Sequence, residues 1–267
     1  MAKTERELAF VRDLDINENW TRRFTDLIDK HIGFKDASNI LYINAGTGDH
    51  CIAIREKVDD KISMFATCES PELLNIARDK GAATKSSIEF SEGDFDDDSF
   101  DAVVADASFT RPEGIVDFIG EAVRVARPGG EVGIVLPSAG SFGEVFSLLW
   151  EVLFNEDLGE HGRAAEAMIS QIPSVSRIEE IAESVGLNDI KTESTKEVFE
   201  YANGAEFVGS PLVSDFLLPV WLETLSDDDR FRVTEKLVQL IDDEDRELSF
   251  RFSVKVTLLT GMKELSH

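Results

Sequence analysis

The chain reads as an α/β protein, a doubly wound and mostly parallel sheet with helices on both faces. Three observations predict this. Between residues 39 and 138, short apolar runs rich in β-branched residues alternate with stretches of helical spacing. The links between them are short and rich in Gly, Pro and acids. A long alternating stretch, LSFRFSVKVTLLTG, ends the pattern with no helix after it, which predicts an antiparallel last strand. Alternating strands and helices with short links give right-handed crossovers and parallel pairing. Strands that are apolar on both sides suit burial on both faces.

The elements follow in order. Residues 5–32 have helical spacing at Leu8, Val11, Leu14, Trp20, Phe24, Leu27 and Ile28, which predicts one or two amphipathic helices. Ile40 to Ile43 is a first strand, ending at a glycine turn and the helix HCIAIREKV. SMFATCES is a second strand ending at Glu69. PELLNIARDKG is the next helix, with Pro71 in its first turn and Gly81 closing it. SSIEFSEGDF and FDAVVADASF are the third and fourth strands. EGIVDFIGEAVRVARPGG is a helix ended by Pro128-Gly129-Gly130, and EVGIVLPS is the fifth strand. Residues 139–170 are helical and rich in Phe and Leu. SVSRIEEIAESVGL is a helix, DIKTESTKEVFEY a sixth strand, and residues 203–247 are helical again. The expected organisation is N-terminal helices at 1–37 and an α/β domain at 38–267. Its helical insertions, 139–170 and 203–247, are expected to form a cap over the strand ends.

Bulk properties exclude several functions. A chain of 267 residues can form one large domain or two small ones. With 53 acids against 27 bases the net charge is −26, which repels nucleic acid and anionic lipid. Residues 86–110 hold eight acids and no Lys or Arg. That is either a solvated face or an acidic wall beside a site for a cationic or neutral small molecule. No run of eighteen apolar residues offers a membrane span. The segment MAKTERELAF lacks a signal-peptide core. Two cysteines, Cys51 and Cys68, give no disulfide framework. A cytoplasmic protein is expected. No metal-ligating pattern stands out.

In a doubly wound sheet, ligands bind beyond the carboxyl ends of the strands, where strand order reverses. Four strand ends carry candidate binding residues. The turn Asn44-Ala45-Gly46-Thr47-Gly48 has two glycines that allow close backbone approach. Asn44 tolerates positive φ, and the following helix N-terminus favours an anion. Glu69, with Ser70 beside it, lies 21 residues past Gly48 and suits two ribose hydroxyls; capping of the next helix is the alternative. Asp94 and Phe95 follow the third strand, placed for an adenine amine and ring or simply for an acidic loop. Asp106 ends the fourth strand, facing an ammonium or capping the strand. No catalytic residue is assigned, although His50, Asp106 and His161 are candidate bases. Aromatics of the insertions (Phe142, Phe146, Trp150, Phe154, Phe207, Phe216, Trp221) form a local core or line an apolar pocket.

These ends, in this order, resemble the class I S-adenosylmethionine-dependent methyltransferases, most closely the small-molecule type 11 group. The resemblance rests on LYINAGTGD, MFATCESPELLNIAR, IEFSEGDF, SFDAVVADASF and VRVARPGGEVGIVLPS, covering about 38–139, and resumes more weakly at 174–201 and 248–262. It implies a Rossmann-like seven-stranded sheet with an antiparallel last strand. It also implies S-adenosyl-L-methionine as cofactor and methyl transfer to a small molecule. On that reading Gly46 and Gly48 fall on family glycines, Glu69 on the ribose acid, and Asp94 with Phe95 on the adenine contacts. Tyr42 stands where the family has an acid, and Asn44 where it has its first glycine. These departures leave a non-catalytic methyltransferase-like binding protein as an alternative. An NAD-dependent oxidoreductase is a weaker one, because Cys51 occupies the third glycine of G-x-G-x-x-G. A homodimer is compatible with the sequence.

Overall fold

The computed structural model describes residues 3–34, 37–244 and 249–265. The helix expected at 245–247, the strand start at Leu248 and parts of the 1–37 segment (1–2, 35–36) lie outside the described residues. The chain begins with α1 (Glu5–Val11), a π-type stretch (Arg12–Thr21) and α2 (Arg22–His31). The alternating part comprises β1 (Asn39–Ile43), α3 (Asp49–Lys57), β2 (Ser63–Thr67), α4 (Pro71–Thr84), β3 (Ile88–Ser91), β4 (Phe100–Asp106), α5 (Ile115–Val125) and β5 (Ala126–Ser138). Then follow α6 (Gly143–Asn155), α7 (Gly159–Ser170), α8 (Val175–Ser184) and β6 (Leu187–Tyr201). The chain closes with α9 (Gly204–Gly209), α10 (Leu218–Trp221), α11 (Asp227–Glu244) and β7 (Phe250–Lys263).

The strands form one seven-stranded sheet in the order β3-β2-β1-β4-β5-β7-β6. β3 through β5 pair in parallel, with Ile40 level with Met64 on one side and Ala102 on the other. The last strand runs antiparallel. Strand order reverses between β1 and β4, so the ends of β1, β2 and β4 surround the switch point. Leu41, Val103, Ala105 and Ile134 pack with Ile119 and Val123 of α5 and Ile178 of α8. Alternation turns Ile40, Tyr42, Ala102 and Val104 to the other face, and these too are buried. Both faces are therefore covered, as the apolar runs predict.

Several local expectations change. β2 stops at Thr67, so Glu69 stands two residues past the strand. Gly81 lies inside α4, which continues to Thr84 and ends at Lys85 in the left-handed region. A Cβ on Gly81 would lie 2.8 Å from Phe90, so that glycine makes room for a ring rather than a cap. α5 ends at Val125, and residues 126–130 already belong to β5. There a Cβ on Gly130 would lie 2.9 Å from the carbonyl oxygens of Arg127 and Phe100.

The N-terminal helices also bury a different face. Leu14 is 81% exposed, whereas Arg12, Ile16, Trp20, Phe24 and Ile28 are buried. Within the π-type stretch Arg12–Thr21 each residue turns the helix through a smaller angle than in an α-helix, which shifts the buried face away from the one an α-helical spacing gives.

The chain divides into two compact units. The first comprises residues 1–136, 174–194 and 256–267; the second comprises 137–173 and 195–255. The second unit has an aromatic core. Phe199 stacks on Phe252 at 4.9 Å, and Phe142 meets Phe146, Trp221 and Phe252 within 6.4 Å. Trp150 and Phe154 stay largely outside that core, although Trp150 covers Gly162.

Candidate functional site

The site is built within the first unit, on the loop after β1. Asn44 adopts φ 58°, so it takes the left-handed conformation that the absent first glycine would otherwise supply. The amides of Asn44 and Ala45 donate to Thr67 Oγ1 (3.3 Å) and Thr67 O (2.7 Å), sewing the loop to the end of β2. Gly46 (φ 58°) and Gly48 (φ 89°) serve different ends. A Cβ on Gly48 would lie 3.1 Å from the Cβ of Ala77, so α4 packing requires that glycine. A Cβ on Gly46 would meet only the Arg12 guanidinium, at 3.3 Å. Gly46 is therefore the glycine that faces the open side of the loop.

Glu69 joins the loop directly. Its Oε2 accepts from the Gly46 amide at 3.1 Å, and its Oε1 accepts from Arg12 Nη2 at 2.8 Å. The Glu69 side chain keeps 26% of its surface, whereas Arg12 keeps 8%. The Arg12 guanidinium also lies 4.3 Å from the centre of the Phe109 ring, just past β4. Ser70, grouped with Glu69 as a binding candidate, instead caps α4 and accepts from the Leu73 amide at 3.3 Å.

Asp106 is buried and accepts from the Ser108 amide at 2.8 Å. Burial pushes its carboxyl up to about 6. Hydrogen bonds from Ser108 and the charge of Arg12 oppose that rise, and Glu69 adds to it. A buried, reluctantly ionised carboxyl suits a cationic partner that would restore its charge. Asn44, Ala45, Gly46, Glu69 and Asp106 are thus brought to one crest.

Asp94 and Phe95 are placed differently. Asp94 (φ 75°) stands exposed on its loop. The Phe95 ring is partly buried and packs edge-on against Phe65 (6.1 Å) and Phe100 (5.0 Å) at the margin of the core.

Tyr42 replaces an acid without leaving a void. Its hydroxyl meets His50 Nδ1 at 2.8 Å, and His50 Nε2 faces Asp29 of α2 at 3.6 Å. Burial pushes the Tyr42 phenol well up. His50 first, and then Lys57 at 2.7 Å, hold Asp29 well below the usual carboxylate range. His50 is thereby engaged inside the fold. His161 belongs to the second unit and bonds Thr224. Cys51 is buried, and its thiol donates to Gly48 O.

Around the α3 N-terminus, Asn17 donates to Thr47 Oγ1 (2.6 Å) and contacts Asp49. Lys80 pairs with Asp49 at 2.6 Å and with Asp13. Arg12 and Asn17 escaped sequence reading because both come from the N-terminal helices. The available signal was the four-residue spacing from Arg12 through Ile16 and Trp20 to Phe24. Among the described residues, no cluster of His, Cys, Asp and Glu could hold a metal ion, and no helix is long and apolar enough to cross a membrane.

The doubly wound sheet thus carries a glycine loop, a post-β2 acid and a buried β4 acid at its switch point. Residues 40–130 match the family described as "Methyltransferase domain". A demethylmenaquinone methyltransferase of Deinococcus radiodurans is 30% identical over 149 residues, which cover 53% of this chain and 60% of that one. The chain thus spans less than two thirds of that curated relative. Among solved structures, YcgJ of Bacillus subtilis superposes with a TM-score of 0.59 at 15% identity, covering 92% of this chain and all of that one (100%). Phosphoethanolamine N-methyltransferase 2 of Haemonchus contortus, solved with S-adenosylhomocysteine, gives 0.56 at 16% identity, covering 98% of this chain and 58% of that one. At these identities the structural likeness speaks to the fold.

Proposed function

We propose that this protein transfers a methyl group from S-adenosylmethionine to a small molecule. The observation that carries this reading is the junction of Gly46 with Glu69, beside the buried Asp106, at the switch point of the sheet. The residues fit the cofactor. Glu69 can accept from a ribose diol, Gly46 leaves its side of the loop open, and Asp106 offers a carboxyl to an ammonium. Asn44, by taking a positive φ, keeps the loop in shape despite its departure from the family. The bound sulfonium supplies an already activated methyl group. The chain then has to hold the acceptor in line and exclude water, which is worth up to ~7–11 kcal/mol in well-oriented cases. The Deinococcus relative's name supports a quinone-type acceptor.

A second reading is a methyltransferase-like binding protein without catalysis. It is favoured by Tyr42, whose hydroxyl is spent on His50. Calorimetric titration with S-adenosylmethionine and S-adenosylhomocysteine, with NAD and ATP as controls, tests the cofactor reading. Micromolar binding of the first pair, lost in Glu69→Ala, supports it and justifies an acceptor screen that separates the two readings. A folded protein that binds neither overturns it.

A further inference from the structure

We propose that His50 is a proton-operated latch between α2 and α3, closing beside the glycine loop at low pH and opening as pH rises through the histidine range. It does not depend on the cofactor reading. His50 is the second residue of α3, and Gly48 of the glycine loop is that helix's N-cap. The ring spans two other elements. Its Nδ1 lies 2.8 Å from the Tyr42 hydroxyl of β1, and its Nε2 lies 3.6 Å from Asp29 Oδ1 of α2. Nε2 is buried and has no hydrogen-bond partner among the described residues. A proton on the ring turns this near-contact into a charge-assisted pair and draws α2 onto α3.

Tyr42 lets the ring hold either charge. Opposite a neutral ring the hydroxyl donates to Nδ1, which leaves the ring proton on Nε2, facing Asp29. Opposite a cationic ring Nδ1–H donates and the hydroxyl oxygen accepts, so only the hydroxyl rotor turns. Burial, and after it the charge of Asp106, push the phenol well up, so it stays neutral in both states. An acid at position 42 would favour the cation throughout. Tyr42 removes that bias and leaves the charge of His50 to the solution.

Asp29 is the partner that waits. The contact with His50 first, against partial burial, and then Lys57 hold its carboxyl well below the usual carboxylate range. Lys57 reaches it at 2.7 Å but is 58% exposed, so that pair holds α2 only weakly. Asp49, beside His50 in sequence, is turned to Asn17 and Lys80. The ring keeps 11% of its surface, so a proton reaches it from solvent. The sign follows from the two partners. A depressed carboxyl contributes above the ordinary carboxylate range, and a charged imidazole contributes below the ordinary histidine range. The latch is closed between the two.

Amide hydrogen exchange of α2, corrected for the pH dependence of intrinsic exchange, tests this in the full-length wild type, His50→Gln and Asp29→Asn. Amides of α5 serve as the internal reference, so that global effects of pH cancel. In the wild type, protection of α2 relative to α5 should be about tenfold greater at about pH 5.5 than at about pH 8, the scale of one opposite charge in a partly buried contact. In both variants that ratio should fall to about one. Should His50→Gln fail to fold, Asp29→Asn, at a side chain that keeps 37% of its surface, carries the test. A wild-type ratio that does not change with pH overturns the inference, and so does a pH dependence that survives in a folded variant. The ring 15N shifts of His50 at about pH 8 should place its proton on Nε2. A proton on Nδ1 overturns the donor role of Tyr42, and the latch with it.

Discussion

Replacing Asp106 with Asn isolates the cost of a charge buried at the end of β4. Burial lifts this carboxyl from 3.8 to about 6, helped by Glu69 and opposed by Ser108 and Arg12. A rise of that size corresponds to ~3 kcal/mol between the two protonation states. The sign follows from proton binding. Between about pH 4 and pH 6 the folded chain holds a proton on Asp106 that the unfolded chain has released. Stability contributed by this group is therefore greatest below about pH 4, declines as pH rises through 6, and is lost above it. Asn keeps the size and the acceptor for the Ser108 amide at 2.8 Å and carries no charge. Urea unfolding of both proteins at pH steps from 4 to 8 reads the effect. The stability of Asp106→Asn relative to wild type should rise by ~2–3 kcal/mol from pH 4 to pH 7. A pH-independent difference would refute the burial argument. With S-adenosylhomocysteine present the advantage should reverse, because the ligand ammonium restores the charge on Asp106.

The two loop glycines should separate cleanly in the same assay. Gly48→Ala forces a left-handed alanine against Ala77 at 3.1 Å and should cost ~2–4 kcal/mol. Gly46→Ala meets only a movable guanidinium at 3.3 Å and should cost ~1–2 kcal/mol while impairing ligand binding. Tyr42→Phe removes the 2.8 Å contact to His50 and should lower stability by ~1–2 kcal/mol, measured by denaturation at pH 7. Burial pushes the Cys68 thiol up to about 12 and the Cys51 thiol higher still, so both should alkylate slowly in the native state and quickly in urea, as mass spectrometry would read.

What the sequence by itself determined is local. Short apolar, β-branched runs become buried strands, and Ser70-Pro71 starts α4 with a side-chain cap and a first-turn proline. Asn44 holds a left-handed turn because its side chain tolerates that backbone. These outcomes depend on residues within a few positions of one another, so composition and spacing reveal them. Boundaries were less legible. Spacing alone ends α4 at Gly81 and β2 at Glu69, since neither the ring of Phe90 nor the true strand pairing is visible in it.

Tertiary structure alone decided the partners. Arg12 meets Glu69 across 57 residues, and Asp29 of α2 faces His50 of α3. Phe95, legible as a ring contact for a ligand, is partly buried and packs edge-on against Phe65 and Phe100. Periodicity tells which side of an element is apolar, but not which charged group will be pressed against it. Only the docked N-terminal helices, wound in wider π-type turns, bring a buried guanidinium onto the glycine loop. A long-range charge pair has no period in sequence, because its free energy depends on separation and burial in space.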